Sequence, residues 1–238
     1  MVSWLFKKLF FLKNFEKNFR IFCPLFSLGL LILLYFAIDL IATSPNDYQQ
    51  SNAVKIMYVH VPAAWMALLV YSLMALFNLS AFIWKNPFFY VIARAIAPIG
   101  ALFTLLTLVT GSIWGKPIWG TWWVWDARLT SVLILLFLYM GYILLLDSFD
   151  DKNKGEKVAA IISIVGFINI PIIKFSVEYW NSLHQGSSIF RSNGVAIHPS
   201  MLHPLLLMFG VYICYFILMA MLRVRAQIWE RKLIINNQ

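Results

Sequence analysis

Apolar residues fall into six runs of about 20, the length an α-helix needs to cross the hydrocarbon core of a bilayer. The runs cover 21–42, 59–84, 95–113, 129–146, 158–175 and 201–222, with short polar connections between them. No internal repeat or long polar insertion interrupts the series. The pattern predicts an all-α integral membrane protein with six transmembrane helices. Ahead of the first run, Leu5, Leu9, Leu12, Phe15 and Phe19 recur at helical spacing among lysines. That fits either a helix lying on an anionic leaflet or a plain basic anchor, and the anchor is the simpler expectation. The chain thus divides into a basic amphipathic segment at 1–20, a six-span domain at 21–222 and a tail at 223–238.

Orientation follows from Lys and Arg, which short connections keep on the cytoplasmic side. With both termini on one side, that side holds Lys7, Lys8, Lys13, Lys17 and Arg20, then Lys85 and Arg94 after the second span. Lys152, Lys154 and Lys157 follow the fourth span, and Arg223, Arg225, Arg231 and Lys232 follow the sixth. The opposite side keeps Lys55, Lys116, Arg128, Lys174 and Arg191, only five of the 19 basic residues. Both termini are therefore expected in the cytoplasm, or in the matrix of a mitochondrion.

Composition agrees with a membrane location: 61% of the 238 residues are apolar and 12% charged, against roughly 45–50% and 25% in a soluble domain. The net charge of +9 is mainly a topology signal. No basic groove with base-reading neighbours accompanies it, so membrane lipid is an expected partner and nucleic acid is not. Cys23 and Cys214 lie in different apolar runs and form no CxxC or CxxCH pair. That sets aside a structural disulfide, thiol redox work and a c-type cytochrome.

Between the third and fourth runs stands WGKPIWGTWWVWDARLTS, residues 114–131. It holds Trp114, Trp119, Trp122, Trp123 and Trp125, five of the chain's 10 tryptophans. Interfacial indoles ordinarily form a belt. Here they are crowded together, interrupted by Gly115, Pro117 and Gly120 and closed by Asp126 and Arg128. That describes a shaped aromatic surface on the outer, periplasmic face, rather than another span. The histidines lie at the same face. His60 sits in YVHVPAAW, with Pro62 marking the mouth of the second span, and His184 sits in SVEYWNSLHQG. A lone histidine at a helix end is ordinarily a cap. Two neutral imidazoles at one membrane level can instead ligate one haem iron from both sides. His198 and His203 each precede a proline and read as loop and helix-start residues.

A zinc site is a weaker reading, for no HExxH or Cys/His ligand spacing is present. P-loop, Rossmann and nucleophile-elbow patterns are missing. No nucleophile or general acid–base pair stands out, so a carrier is expected rather than an enzyme.

These motifs resemble the haem exporter protein C family, CcmC, of cytochrome c maturation. The tryptophan window is similar to the WWD signature of haem-handling membrane proteins. YVHVPAAW, SVEYWNSLHQG, DYQQ at 47–50 and PIG at 98–100 match that subfamily in order and spacing. The cytochrome c haem lyases share the WWD signature on a much longer chain with more spans. The resemblance implies axial haem ligands at His60 and His184. It implies a haem-binding surface of Trp114, Trp119, Trp122, Trp123, Trp125 and Asp126. The cargo would be haem b, held non-covalently and transiently, and handed to the periplasmic haem chaperone CcmE. A small single-span protein, CcmD, and an ABC transporter of CcmA and CcmB would be partners, in a bacterial inner membrane or its mitochondrial counterpart.

Arg128, and behind it Lys116, are the nearest cations for the haem propionates. Arg128 could equally pair with Asp126, and Asp126 could cap the fourth span. Two rival classes remain. A b-type electron-transfer protein would hold its histidines within the spans. A haem-translocating transporter subunit would need broken spans or intramembrane ionisable groups, for which only Asp39 offers a hint.

Overall fold

Lipid offers no partner for a free backbone amide, so a chain this apolar closes its hydrogen bonds inside helices. The computed structural model describes residues 2–184, 186, 194 and 196–236, with side chains from 14 to 232 within that set. The described residues form α1 (Val2–Thr43), a 3-10 turn (Asn52–Ile56), α2 (Met57–Trp84), α3 (Phe88–Trp119) and α4 (Ala127–Leu146). They continue as α5 (Lys152–Gly166), α6 (Asn169–Tyr179) and α7 (Pro199–Asn236). Six helical units are long and apolar enough to cross a membrane, with α5 and α6 together forming the fifth. The protein is an all-helical, multi-pass membrane protein, as the hydrophobic pattern predicts. Connections 44–56 and 120–126 and the described residues between α6 and α7 share the end that carries the tryptophans. Connections 85–87 and 147–151 share the opposite, basic end.

Burial decides which helices are central. In the most apolar stretch of each unit, 50% of α2 and 56% of α3 are buried, against 6% of α1 and 17% of α7. α2 and α3 thus form the middle, and α1 rides on α7 at the rim. Ala63, Ala67, Ala93 and Ala97 are buried on the central pair and allow the close backbone approach on which helix packing in lipid depends. At Gly100 a side chain would collide with the Tyr139 hydroxyl. That hydroxyl donates to the Ala67 carbonyl at 2.9 Å and ties α4 to α2.

Boundaries depart from the hydrophobic pattern in several places; α7, for one, continues through the expected tail to Asn236, and α3 already begins at Phe88. α1 runs unbroken from Val2 into the span, so the basic segment continues the transmembrane helix instead of lying apart from it. α3 continues past Ile113 to Trp119, because a proline in the last turn costs one ladder bond and no more. It stops where Gly120, at φ 75°, takes the left-handed conformation and donates its amide to the Lys116 carbonyl at 3.1 Å. The fifth run, expected as one helix over 158–175, is two. Pro171 has no amide, and its ring crowds the Phe167 carbonyl. The amides of Phe167, Ile168 and Ile170 consequently bond three residues back, at 3.2, 3.2 and 3.0 Å.

Candidate functional site

The last turns of α3 form a wall against which both candidate histidines stand. His60, in the opening turn of α2, packs edge-on against Trp114 with ring centroids 5.6 Å apart. Gly111 makes the room, since a Cβ there would come within 3.0 Å of the imidazole. Thr110 Oγ1 meets His60 Nδ1 at 3.1 Å. The threonine gives its own proton to the Leu106 carbonyl at 2.6 Å, so toward the ring its oxygen accepts. Nδ1 therefore carries the hydrogen and Nε2 keeps its lone pair. Trp114 is fixed in turn, donating from Nε1 to Gln50 Oε1 at 3.0 Å. Asp47 shapes the turn that delivers Gln50, its Oδ1 accepting the Gln49 and Gln50 amides at 2.9 and 2.8 Å.

Five residues further along α3, a rise of about 7–8 Å, Trp119 packs edge-on against His184 at 4.8 Å. Gly115 permits this, for a Cβ there would lie 2.9 Å from the Trp119 ring. His184 stands on the chain leaving α6. Its Nδ1 faces Asp126 Oδ2 at 3.2 Å and Ser182 Oγ at 3.1 Å. Ser182 donates its own proton to Asp126 Oδ2. Both neighbours of Nδ1 are thus acceptors, the ring hydrogen lies there, and Nε2 again keeps its lone pair.

Asp126 also caps α4, its Oδ1 accepting the Leu129 amide at 2.7 Å. Burial pushes the Asp126 carboxyl up, but the Ser182 hydroxyl, the Leu129 amide and His184 outweigh it and hold the carboxyl below its ordinary value. Burial also holds His184 below the usual imidazole value, more strongly than Asp126 raises it. At neutral pH the pair is a carboxylate beside a neutral imidazole. His60 and His184 lie within electrostatic reach of each other.

The remaining indoles stand on the connection from α3 to α4. Trp122 and Trp125 are exposed, at 56% and 76%. Lys116 Nζ lies 5.9 Å from the Trp122 ring centre and donates to the Gly120 carbonyl at 3.0 Å. Trp123 stands edge-on to Trp125 at 5.4 Å. Its Nε1 is buried without a hydrogen-bond partner, a donor for which an acceptor is expected. Its ring lines an apolar groove of about 400 Å³ between α3 and α4.

Arg128 makes no ion pair with Asp126 among the described residues. Its Nε donates to Ser176 Oγ at 3.2 Å and Nη2 reaches the Lys174 carbonyl at 3.5 Å, so α6 holds it. His198 Nδ1 accepts the Ser200 amide at 3.3 Å, capping α7, and His203 is exposed.

The predicted residues therefore gather as His60 with Trp114 and as His184 with Trp119 and Asp126, along one helix. Sequence reasoning left Thr110, Gly111, Gln50 and Ser182 without roles. Thr110 lies one turn before Trp114 on the same helix face, a spacing that could have flagged it. Ser182 had no such signal, because its partner is 56 residues away.

These features define a multi-pass helical membrane protein with an imidazole–indole site at one end of its bundle. The family model described as heme exporter protein C matches residues 6–237, and the chain belongs to that family. A heme exporter protein C of Haemophilus influenzae is 46% identical over 217 residues, covering 90% of this chain and 88% of its own length. One from Bradyrhizobium diazoefficiens is 44% identical over 209 residues, 88% and 80% of the two chains. A cytochrome c biosynthesis ccmC-like mitochondrial protein of Marchantia polymorpha is 53% identical over 169 residues, 71% of each.

Proposed function

We propose that this chain carries haem in cytochrome c biogenesis, holding it at the tryptophan end between His60 and His184 and presenting it to a soluble acceptor. One observation carries the reading: both imidazoles stand against α3 with Nδ1 hydrogen-bonded, the tautomer that keeps a lone pair on Nε2. Haem is a flat apolar plate with two propionates and an iron that accepts imidazole nitrogens. Trp114, Trp119, Trp122, Trp123 and Trp125 supply apolar surface, whose burial contributes on the order of 25 cal/mol per Å². The exposed rings of Trp122 and Trp125 and the unpartnered Trp123 N–H fit a surface made to take a further group. Arg128 and Lys116 are the cations for the propionates, and Arg128 suits them better because guanidinium grips a carboxylate with two hydrogen bonds.

The bound haem is haem b, held without a covalent bond and only transiently. The task is carriage rather than catalysis. The basic end lies in the cytoplasm, with both termini, and the tryptophan end in the periplasm of a bacterial inner membrane or its mitochondrial equivalent. A site at this lip leaves one edge of the cargo open to a haem chaperone of the CcmE kind. CcmD and the CcmA–CcmB transporter are the companions the family implies, the transporter supplying the ATP-driven step.

The break in the fifth span favours one alternative, a haem-translocating subunit, since transporters place sites at interrupted helices. Here the interruption is packed. Asn169 Nδ2 donates to the Ser131 carbonyl at 2.9 Å, and the Tyr71 hydroxyl sits against Gly166. A packed kink supports presentation at the lip over passage through the middle.

The test is the absorption spectrum of protein purified from haem-replete cells. His60→Ala and His184→Ala are each expected to lose the six-coordinate signature, and replacing Trp119, Trp122 and Trp123 together by Ala to lower haem occupancy. An unchanged spectrum in both histidine variants overturns the reading.

A further inference from the structure

We propose that Asp126 is the positioning residue for His184, and that it makes the two axial ligands unequal: His184 is the retained ligand and His60 the one that yields first. This rests on the axial-ligand reading above and adds an order of release to it.

The two imidazoles are backed differently. His184 Nδ1 donates to a carboxylate at 3.2 Å; His60 Nδ1 donates to a neutral hydroxyl at 3.1 Å. A carboxylate behind a ligating imidazole fixes its ring and raises the basicity of the other nitrogen. A threonine hydroxyl fixes the ring and adds little charge. The carboxylate also brings a negative charge near the iron, which favours the ferric state.

Asp126 is itself firmly set. Oδ1 takes the Leu129 amide at the start of α4, and Oδ2 takes the Ser182 hydroxyl and His184. Asp126 is only 9% exposed, and both of its oxygens are turned inward to these partners. It therefore belongs behind the haem ligand rather than on the haem-binding surface.

One consideration opposes this order. His184 stands on irregular chain while His60 stands on a helix, which alone would make His184 the looser ligand. The clasp offsets that. Ser182 Oγ accepts the His184 amide at 3.1 Å and donates to Asp126, so the segment is tied by side chain and backbone to the N-terminus of α4. Among the described residues nothing comparable in charge backs His60.

The experiment compares haem binding by full-length His60→Ala and His184→Ala, each with one histidine left, and then adds Asp126→Asn to the first. The chain that keeps His184 is expected to bind haem roughly 10- to 100-fold more tightly than the chain that keeps His60, the usual size of such outer-partner effects. Asp126→Asn should remove most of that advantage, and Asp126→Glu should restore part of it. Asparagine also caps helices well, so α4 keeps its start.

In the protein with both histidines, Asp126→Asn should raise the haem midpoint potential by about 59 mV, a tenfold loss of ferric preference for one electron. Ser182→Ala, which keeps the carboxylate, should move it much less. Equal or reversed affinities of the two single-histidine chains overturn the proposal. So does an unshifted potential in an Asp126→Asn protein that keeps its six-coordinate spectrum. Neither result touches axial ligation, which fails only if the histidine variants themselves leave the spectrum unchanged.

Discussion

The two ends of the bundle use polar side chains in opposite ways. At the basic end, acids close on arginines: Glu16 with Arg225 at 3.1 Å, Asp147 with Arg94 at 2.7 Å, and Glu156 with Arg231. Arg223 Nε also donates to the Ala95 carbonyl at 2.9 Å. These contacts fasten the long end of α7 to α1, α3 and α5, and α3 to the end of α4. At the tryptophan end each histidine is oriented through Nδ1 and keeps a lone pair on Nε2. Thr110 sets His60, Asp126 and Ser182 set His184, and Gln50 sets Trp114. Among the described residues Nε1 of Trp123 and the Tyr58 hydroxyl are buried without a partner. A closed network holds helices together, whereas an open one is prepared for a ligand it does not itself supply.

The largest expected effects come from removing one residue at each end. Glu156→Ala leaves Arg231 without its partner beside a carboxylate site that is only 3% exposed. Arg231 is itself 35% exposed and water recovers part of the loss, so the cost is about 1–3 kcal/mol. It should appear as a lower thermal midpoint in detergent, with the haem spectrum of the folded protein unchanged. His184→Ala should do the reverse, losing the six-coordinate spectrum with little change in midpoint. A folded Glu156→Ala protein without haem would break the comparison.

Gly166→Ala comes next and lies between the two ends. A methyl group there would enter the space of the Tyr71 hydroxyl. Overpacking of this kind costs about 1–3 kcal/mol. Because Gly166 is the last residue of α5, the strain falls on the kink that directs α6 toward Arg128 and His184. Both the midpoint and haem affinity should fall, the midpoint more. Gly29→Ala on α1, with open space around it, is the control and should cost nothing. A lowered midpoint with wild-type affinity would show that α6 does not set the geometry of the site.

Six spans were legible because length of apolar run is a property of the chain in one dimension. The kink was not. Pro171 inside a uniformly apolar run is compatible with a bent helix or a new one. What decides is Tyr71 against Gly166 and Asn169 on Ser131, contacts made only after folding. The extension of α3 through Trp119 was hidden for a related reason, since Gly115 and Pro117 read as breakers until Gly120 is seen to end the helix. The histidines, the indoles and Asp126 stood out through dense, chemically distinctive motifs. Their partners Thr110 and Ser182 are small hydroxyl residues, and they acquire a role only when α2 lies beside α3 and the exit of α6 beside α4. Arg128 shows the same limit: the sequence offered it the haem propionates or Asp126, and among the described residues the structure gives it Ser176 and the Lys174 carbonyl on α6.

The smallest expected effect tests how far the open network reaches. Gln50→Leu removes the acceptor of the Trp114 indole. Trp114 is only partly buried, so its N–H can turn to water, and the loss is that of one neutral hydrogen bond, about 0.5–1.5 kcal/mol. If the bond stabilised the fold alone, that loss would appear in the thermal midpoint, as at the basic end. Trp114 stands edge-on to His60, however, so a looser indole gives the imidazole more freedom at the moment of ligation. The expected outcome is haem affinity lower by roughly two- to tenfold with the midpoint nearly unmoved. Gln50→Glu, which keeps an acceptor oxygen, should stay within about twofold by the same conversion. A Gln50→Leu protein of unaltered affinity would confine the Asp47 turn to closing a loop and would end the prepared network at Trp114.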